Sequence, residues 1–111
     1  MILRNLTNKK TICKNLKACN TFLDRSLGLL LKSNPRNLLF KTRFGIHTFF
    51  LKKTIDVVVL DEKRRVINLK NQLAPNRLFF WNPRHQVLIE LEAGSIKKSK
   101  VRVGDTLKFT D

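Results

Sequence analysis

Residues 55–61, "IDVVVLD", contain four consecutive apolar residues, Val57, Val58, Val59 and Leu60. Branching at Cβ favours extended backbone, in which successive side chains leave on opposite faces. A strand with one wet face alternates apolar and polar residues, so an unbroken run predicts a strand covered on both faces. Such a strand needs layers on either side of it. A chain of 111 residues can supply them within one domain, residues 1–111, and is too short for two separate cores.

The flanking sequence reads mostly as short strands. "ILRNLT" and "TICKNLKAC" lie on either side of Asn8-Lys9-Lys10, which has the composition of a hairpin turn. In the second of these, Ile12, Leu16 and Ala18 are expected to share one face. "NLLF", "IHTFFL", "RVINLK", "QVLIELEAG" and "DTLKFT" are further runs bounded by Pro, Asn, Gly or charges, with a turn at Gly104-Asp105. "GSIKKSK" reads as a short helical turn. The principal helix is expected in "NTFLDRSLGLLLKS", over about residues 21–32: Thr21 and Asp24 resemble a capping box, and Leu23, Leu27, Leu30 and Leu31 form one stripe. Asn34-Pro35 would end it. The predicted class is α+β and β-rich. It takes the form of a bent antiparallel sheet or partial β-barrel with one main helix and a short C-terminal helical turn.

The order of these segments resembles the family called domain of unknown function 192, from about Leu3 to Phe109. The resemblance rests on "FLDRSLGLL", "NLLF", "IHTFFLKKTIDVVVLD", Pro75, "VLIELEAG" and "VGDTLKF". There are departures: Leu51 stands for the usual Met, Thr54 for a Pro, Arg64 for a turn glycine, and Leu31-Lys32 for Gly-Arg. The resemblance implies a compact β-rich domain with one main helix, and it implies no activity.

Charge narrows the class of partner. The formal net charge is +15, and residues 1–53 carry 12 Lys and Arg against Asp24 alone. An excess of this size suits nucleic acid or another polyanion, such as an anionic membrane surface, and equally a merely solvated surface, because the charges are scattered and not confined to one run. "MILRNLTNKK" lacks the apolar core of a signal peptide, and no stretch approaches the ~20 apolar residues of a membrane span. A cytoplasmic protein is expected. Cys13 and Cys19 would lie roughly 20 Å apart on an extended segment. That is too far for a disulfide, and their spacing makes a poor zinc site.

Few residues look chemical. His47 has no second His at ligand spacing, and a histidine hydrogen-bonded to backbone is the simpler reading. His85, in "WNPRHQ", reads as surface. Asp56, between Ile55 and Val57, must be hydrogen-bonded if buried, so a structural role outweighs general-base work. Thr48 or loop N–H groups are its expected local donors. "RLFFWNPRH" interleaves Phe79, Phe80 and Trp81 with Arg77 and Arg84, a pattern that can stack and neutralise single-stranded nucleic acid, or that caps a sheet edge. The glycines match no phosphate-binding loop, and no catalytic, cofactor-binding or metal-ligating residue is assigned.

If "IHTFFL" and "IDVVVL" form a hairpin, His47 faces Val59 and Phe50 faces Asp56. His47 and Asp56 then lie on opposite faces and are no dyad. The reading is a non-enzymatic binding or interaction module. An RNA- or DNA-binding protein is the alternative, and an enzyme centred on His47 and Asp56 comes third.

Overall fold

The computed structural model describes residues 1–19, 37–41, 46–47, 54–74, 77–79, 84 and 87–110. The expected helix over 21–32 lies outside them. The chain opens with β1 (Ile2–Asn5), β2 (Lys10–Cys13) and β3 (Leu16–Cys19), followed by β4 (Asn37–Lys41) and β5 (Ile46–His47). The long strands β6 (Ile55–Leu60) and β7 (Val66–Leu73) come next, then β8 (Leu78–Phe79) and β9 (Val87–Glu92). A short helix, α1 (Ser95–Ser99), leads to β10 (Leu107–Thr110). The "GSIKKSK" turn is therefore helical, and the class is α+β and β-rich, as predicted.

The strands form a three-stranded sheet in the order β10-β1-β2, a five-stranded sheet in the order β3-β4-β9-β6-β7, and a β5-β8 ribbon. No sheet closes into a barrel among the described residues. Pairing is antiparallel except for β3 with β4, which run parallel. That corrects the all-antiparallel expectation. A parallel pair needs a crossover of a dozen or more residues, and residues 20–36 supply the length.

"TICKNLKAC" also divides, at Lys14 and Asn15. Its first half pairs with β1 in the small sheet and its second with β4 in the large one. The shared face expected for Ile12, Leu16 and Ala18 fails with that break: Leu16 is buried, Ile12 is half-buried and Ala18 is exposed.

Strand β6 is covered on both faces. Val57, Val58, Val59 and Leu60 are all fully buried. Val58 and Leu60 join Ile89 and Leu91 of β9 in a core shared with Leu3, Leu107 and Ile96. This core lies between the large sheet and the small sheet with α1. Val57 and Val59 join Leu38, Leu73 and Leu88 in a second cluster on the other face. Each fully buried aliphatic side chain contributes about 1.5–3 kcal/mol relative to exposure.

The hairpin expected between "IHTFFL" and "IDVVVL" does not form. Both edges of β6 are occupied along its length, by β7 and by β9, whereas β5 pairs with β8 through His47 and Leu78. A continuous run that wants cover on both faces also wants a central place in the sheet, and a central strand has no edge left for its sequence neighbour.

The β6–β7 turn shows what replaces the family's glycine. Arg64 has φ +63°, a left-handed conformation that costs a residue with Cβ roughly 1–2 kcal/mol. The Asp61 side chain accepts from the N–H groups of Lys63 and Arg65, both at 2.9 Å, and holds the turn closed. The Arg64 guanidinium lies over the Phe109 ring, 4.2 Å from its centroid, a contact worth about 0.5–1 kcal/mol at an exposed site. These terms oppose each other. Arg64→Gly is expected to stay within about 1 kcal/mol of the parent in urea unfolding.

The two-core arrangement gives a sharper test. Leu60→Ala and Leu88→Ala, one in each cluster, should each cost about 2–5 kcal/mol in urea unfolding. Val103→Ala, at a side chain 62% exposed, should change stability by less than about 0.5 kcal/mol. A near-neutral Leu88→Ala would mean that the second face is not packed.

Candidate functional site

Asp56 sits on β6 where the ladder to β7 is irregular. Ile55 faces Leu73 and Val57 faces Lys70, so Asp56 alone stands against Asn71 and Gln72. This is a β-bulge, and Gln72 takes the left-handed conformation within it at φ +53°. The bulge leaves the Gln72 N–H free of the ladder, and it donates to Asp56 Oδ1 at 2.8 Å. The other carboxylate oxygen, Oδ2, accepts from the Ile96 N–H at 2.9 Å.

Ile96 lies in the first turn of α1. The N-cap residue there is Gly94, which has no side chain to cap the turn, and the first turn contains no acid. Gly94 has φ +91°, where glycine is at ease and a Cβ is not. Asp56 therefore supplies, from a strand 40 residues earlier, the acceptor that a capping residue usually provides. It is fully buried, and both its oxygens meet backbone N–H groups. The expected donors were Thr48 or loop N–H groups. The donors found are a bulge amide and a helix amide, and Thr48 lies outside the described residues.

His47 is placed by its backbone opposite Leu78, and Ile46 opposite Phe79. The ribbon thus joins two stretches that the sequence presents as unrelated, the histidine segment and the aromatic–basic segment. Arg77 and Arg84 are exposed, whereas Phe80 and Trp81 lie outside the described residues.

Two buried polar knots escaped the sequence reading. Asn5 is fully buried; its amide donates to Asp105 Oδ2 at 2.7 Å, and its Oδ1 accepts from the Thr7 N–H at 2.9 Å. Asp105 Oδ2 also accepts from the Arg102 N–H, closing the turn at Gly104. Asn37 donates to Asn15 Oδ1 at 2.6 Å and accepts from the Glu92 N–H at 3.0 Å, so it ties the start of β4 to the end of β9. Spacing carried a signal for one of them: Asn5 stands two residues after Leu3 and so shares its inward face. Asn37 shows no such pattern in sequence.

A groove of about 770 Å³ opens between β2 and the β9–α1 connection. Its charged and amide lining comes from Lys10, Lys14, Lys98, Asn15, Asn37 and Glu92, beside three hydroxyl residues. Cys13 also lines it as a free thiol, which burial pushes upward against the lowering effect of N–H groups from Asn15 and Leu3. A thiol held protonated is a weak nucleophile. Among the described residues no three His, Cys, Asp or Glu side chains gather in a way that could hold a metal, and no helix is long and apolar enough to cross a membrane.

Comparison with known proteins places the chain. The family model for DUF192, an uncharacterised group, matches residues 3–109. The chain belongs to the DUF192 family. A UPF0127 protein of Pyrococcus abyssi is 34% identical over 85% of this chain and 85% of its own length. Another, from Thermococcus kodakarensis, is 33% identical over 96% of this chain and 71% of its own. Two solved structures share the fold at low identity. A protein of unknown function from Novosphingobium aromaticivorans aligns at TM-score 0.79 and 12% identity, over 97% of this chain and 82% of that one. A "putative transcription regulator" from Sinorhizobium meliloti aligns at TM-score 0.75 and 17% identity, over 96% and 89%. DUF192 membership agrees with the resemblance seen in the segment order, and it supplies a fold without an activity.

Asp56→Ala would leave the buried Ile96 N–H without its acceptor and free the part-buried Gln72 N–H. A loss of stability of about 1–3 kcal/mol is expected, most of it from the buried donor. Asp56→Asn should also destabilise, because its NH2 must face one of the two amides. A thermal melt at the parent temperature for either variant would contradict this.

Asp61 gives a pH-dependent counterpart. Desolvation pushes its carboxyl up, but hydrogen bonds from the Arg65 and Lys63 N–H groups and the Arg65 guanidinium hold it below the ordinary carboxylate range. With the folded value depressed, its contribution is complete above the unfolded pKa of about 3.9 and is lost as pH falls through the folded one. The pair with Arg65 is largely exposed on the arginine side, so the effect should stay below about 1 kcal/mol. Asp61→Asn should flatten that part of the acid limb in denaturant titrations below pH ~4.

Proposed function

We propose that this DUF192 protein is a non-enzymatic binding module that works in the cytoplasm. The observation that carries this reading is the commitment of Asp56. A general base must reach a substrate proton, and a fully buried carboxylate with both oxygens on backbone amides offers no such access. The groove beside β2 is of a size that holds ligands, and its lining is dominated by hydrogen-bond donors and not by paired acid and base.

The test incubates the purified chain with whatever co-purifies with it and follows both by mass spectrometry. A component recovered at unchanged mass is expected. A change in its mass that disappears in His47→Ala would overturn the reading in favour of an enzyme.

One observation favours nucleic acid as a second reading: the β5–β8 ribbon brings His47 alongside the segment of Arg77 and Phe79. Against it, every Lys and Arg whose burial is described is exposed, and these side chains do not share one face. Lys63, Arg64 and Arg65 lie in the turn that bridges to Thr106 beside β10, whereas Lys97 and Lys98 lie on α1, which packs by β2. Those are opposite edges of the small sheet. If nucleic acid is the ligand through six or more phosphates, affinity should drop about 10³-fold between ~50 and ~200 mM salt. Absence of any anisotropy change with a labelled oligonucleotide at the lower salt would remove it.

A further inference from the structure

Among the described residues strand β2 is an edge: it pairs with β1 alone, through a ladder with a bulge between Thr11 and Cys13, and no described backbone group meets its other side. Residues 10–15, which include all of β2, line the groove together with residues 92–95 on the β9–α1 connection. An unpaired strand edge offers a row of N–H and C=O groups, and an extended peptide is the partner that returns the same row.

The side chains around that edge select a sign of charge. Lys10, Lys14 and Lys98 all line the groove, and among the described residues none of them has a carboxylate within ion-pair distance. Asn37 is buried and spends its Oδ1 on the Glu92 N–H and its amide on Asn15 Oδ1. The Asn15 amide nitrogen makes no hydrogen bond of its own among the described residues. Glu92 is the one acid in the lining. The uncommitted groups are thus mostly donors and cations, beside half-buried Ile12 and Cys13, which provide a short apolar floor.

We propose that β2 accepts an extended acidic peptide of a partner protein as an added strand. The peptide main chain pairs with the free edge, and its carboxylates meet Lys10, Lys14 and Lys98. This rests on the binding-module reading and names the class of partner. Nucleic acid and membrane lipid can answer the lysines but not the backbone edge. Edge lysines can also serve only to discourage aggregation, and the experiment separates that role from recognition.

The full chain is titrated by fluorescence anisotropy with a short labelled peptide that alternates Glu and Val. Saturable binding is expected, weakened about tenfold or more when alternate peptide amides are N-methylated, and equally when Lys replaces Glu. The double variant Lys14→Glu, Lys98→Glu should lose affinity by about tenfold or more with an unchanged melt. Should that variant fail to fold, the N-methylated peptide against the parent chain still decides. No binding of the acidic peptide, or equal binding of its N-methylated form or of a thymidine oligonucleotide, overturns the proposal. A co-purifying protein that stays bound to the double variant would overturn the edge assignment and leave the binding-module reading standing. A chemical change in that component would instead remove the binding-module reading.

Discussion

Strands β6 and β9 are hydrogen-bonded along their length and present buried side chains on both faces, and the two larger sheets and α1 are placed by what they do for that pair. The small sheet and α1 cover one face, through Leu3, Leu107 and Ile96. Leu38 of β4 and Leu73 of β7 pack beside Val57 and Leu88 on the other. An unmet polar group is costly on a pair buried on both sides, and Asp56 is a carboxylate on its inner face. The bulge in β7 and the first turn of α1 are the two places from which backbone donors reach it. The burial of the central pair and the position of the helix are therefore one constraint.

Much of this was legible in sequence. Four apolar residues in a row announced a doubly covered strand, and Asp56 beside them announced a hydrogen-bonded carboxylate on the face of Val58 and Leu60. Segment order alone pointed to the family. Pairing was not legible. Periodicity fixes which face a residue takes, but it does not say which strand lies alongside, and proximity in sequence wrongly suggested that "IHTFFL" would be the neighbour of β6. The break at Lys14 and Asn15 was hidden for a similar reason, since alternation continues across it while the strand changes sheets. Backbone donors to Asp56 were expected, but which amides they are was out of reach, because an amide leaves no mark in composition.

His47 and Asp56 drew attention as candidate residues, with a structural role for Asp56 preferred to a chemical one. The structure gives Asp56 to the fold and sets His47 by its backbone against Leu78. The groove beside β2 was missed because its lysines are spread from Lys10 to Lys98 and meet only through the packing of α1 on β2. Its uncommitted donors follow from the Asn37 knot, which absorbs the acceptors nearby. Shared fold with proteins at 12% and 17% identity extends the architecture to distant chains.

Helix α1 is five residues long, and helices of that length do not persist in water, because nucleation costs more than so few hydrogen bonds return. Its first turn finds an acceptor only on β6, and its one large buried side chain, Ile96, finds its neighbours only in the core that β6 and β9 create. The helix is therefore conditional on the sheet: whatever loosens the central pair removes its acceptor and its cover together.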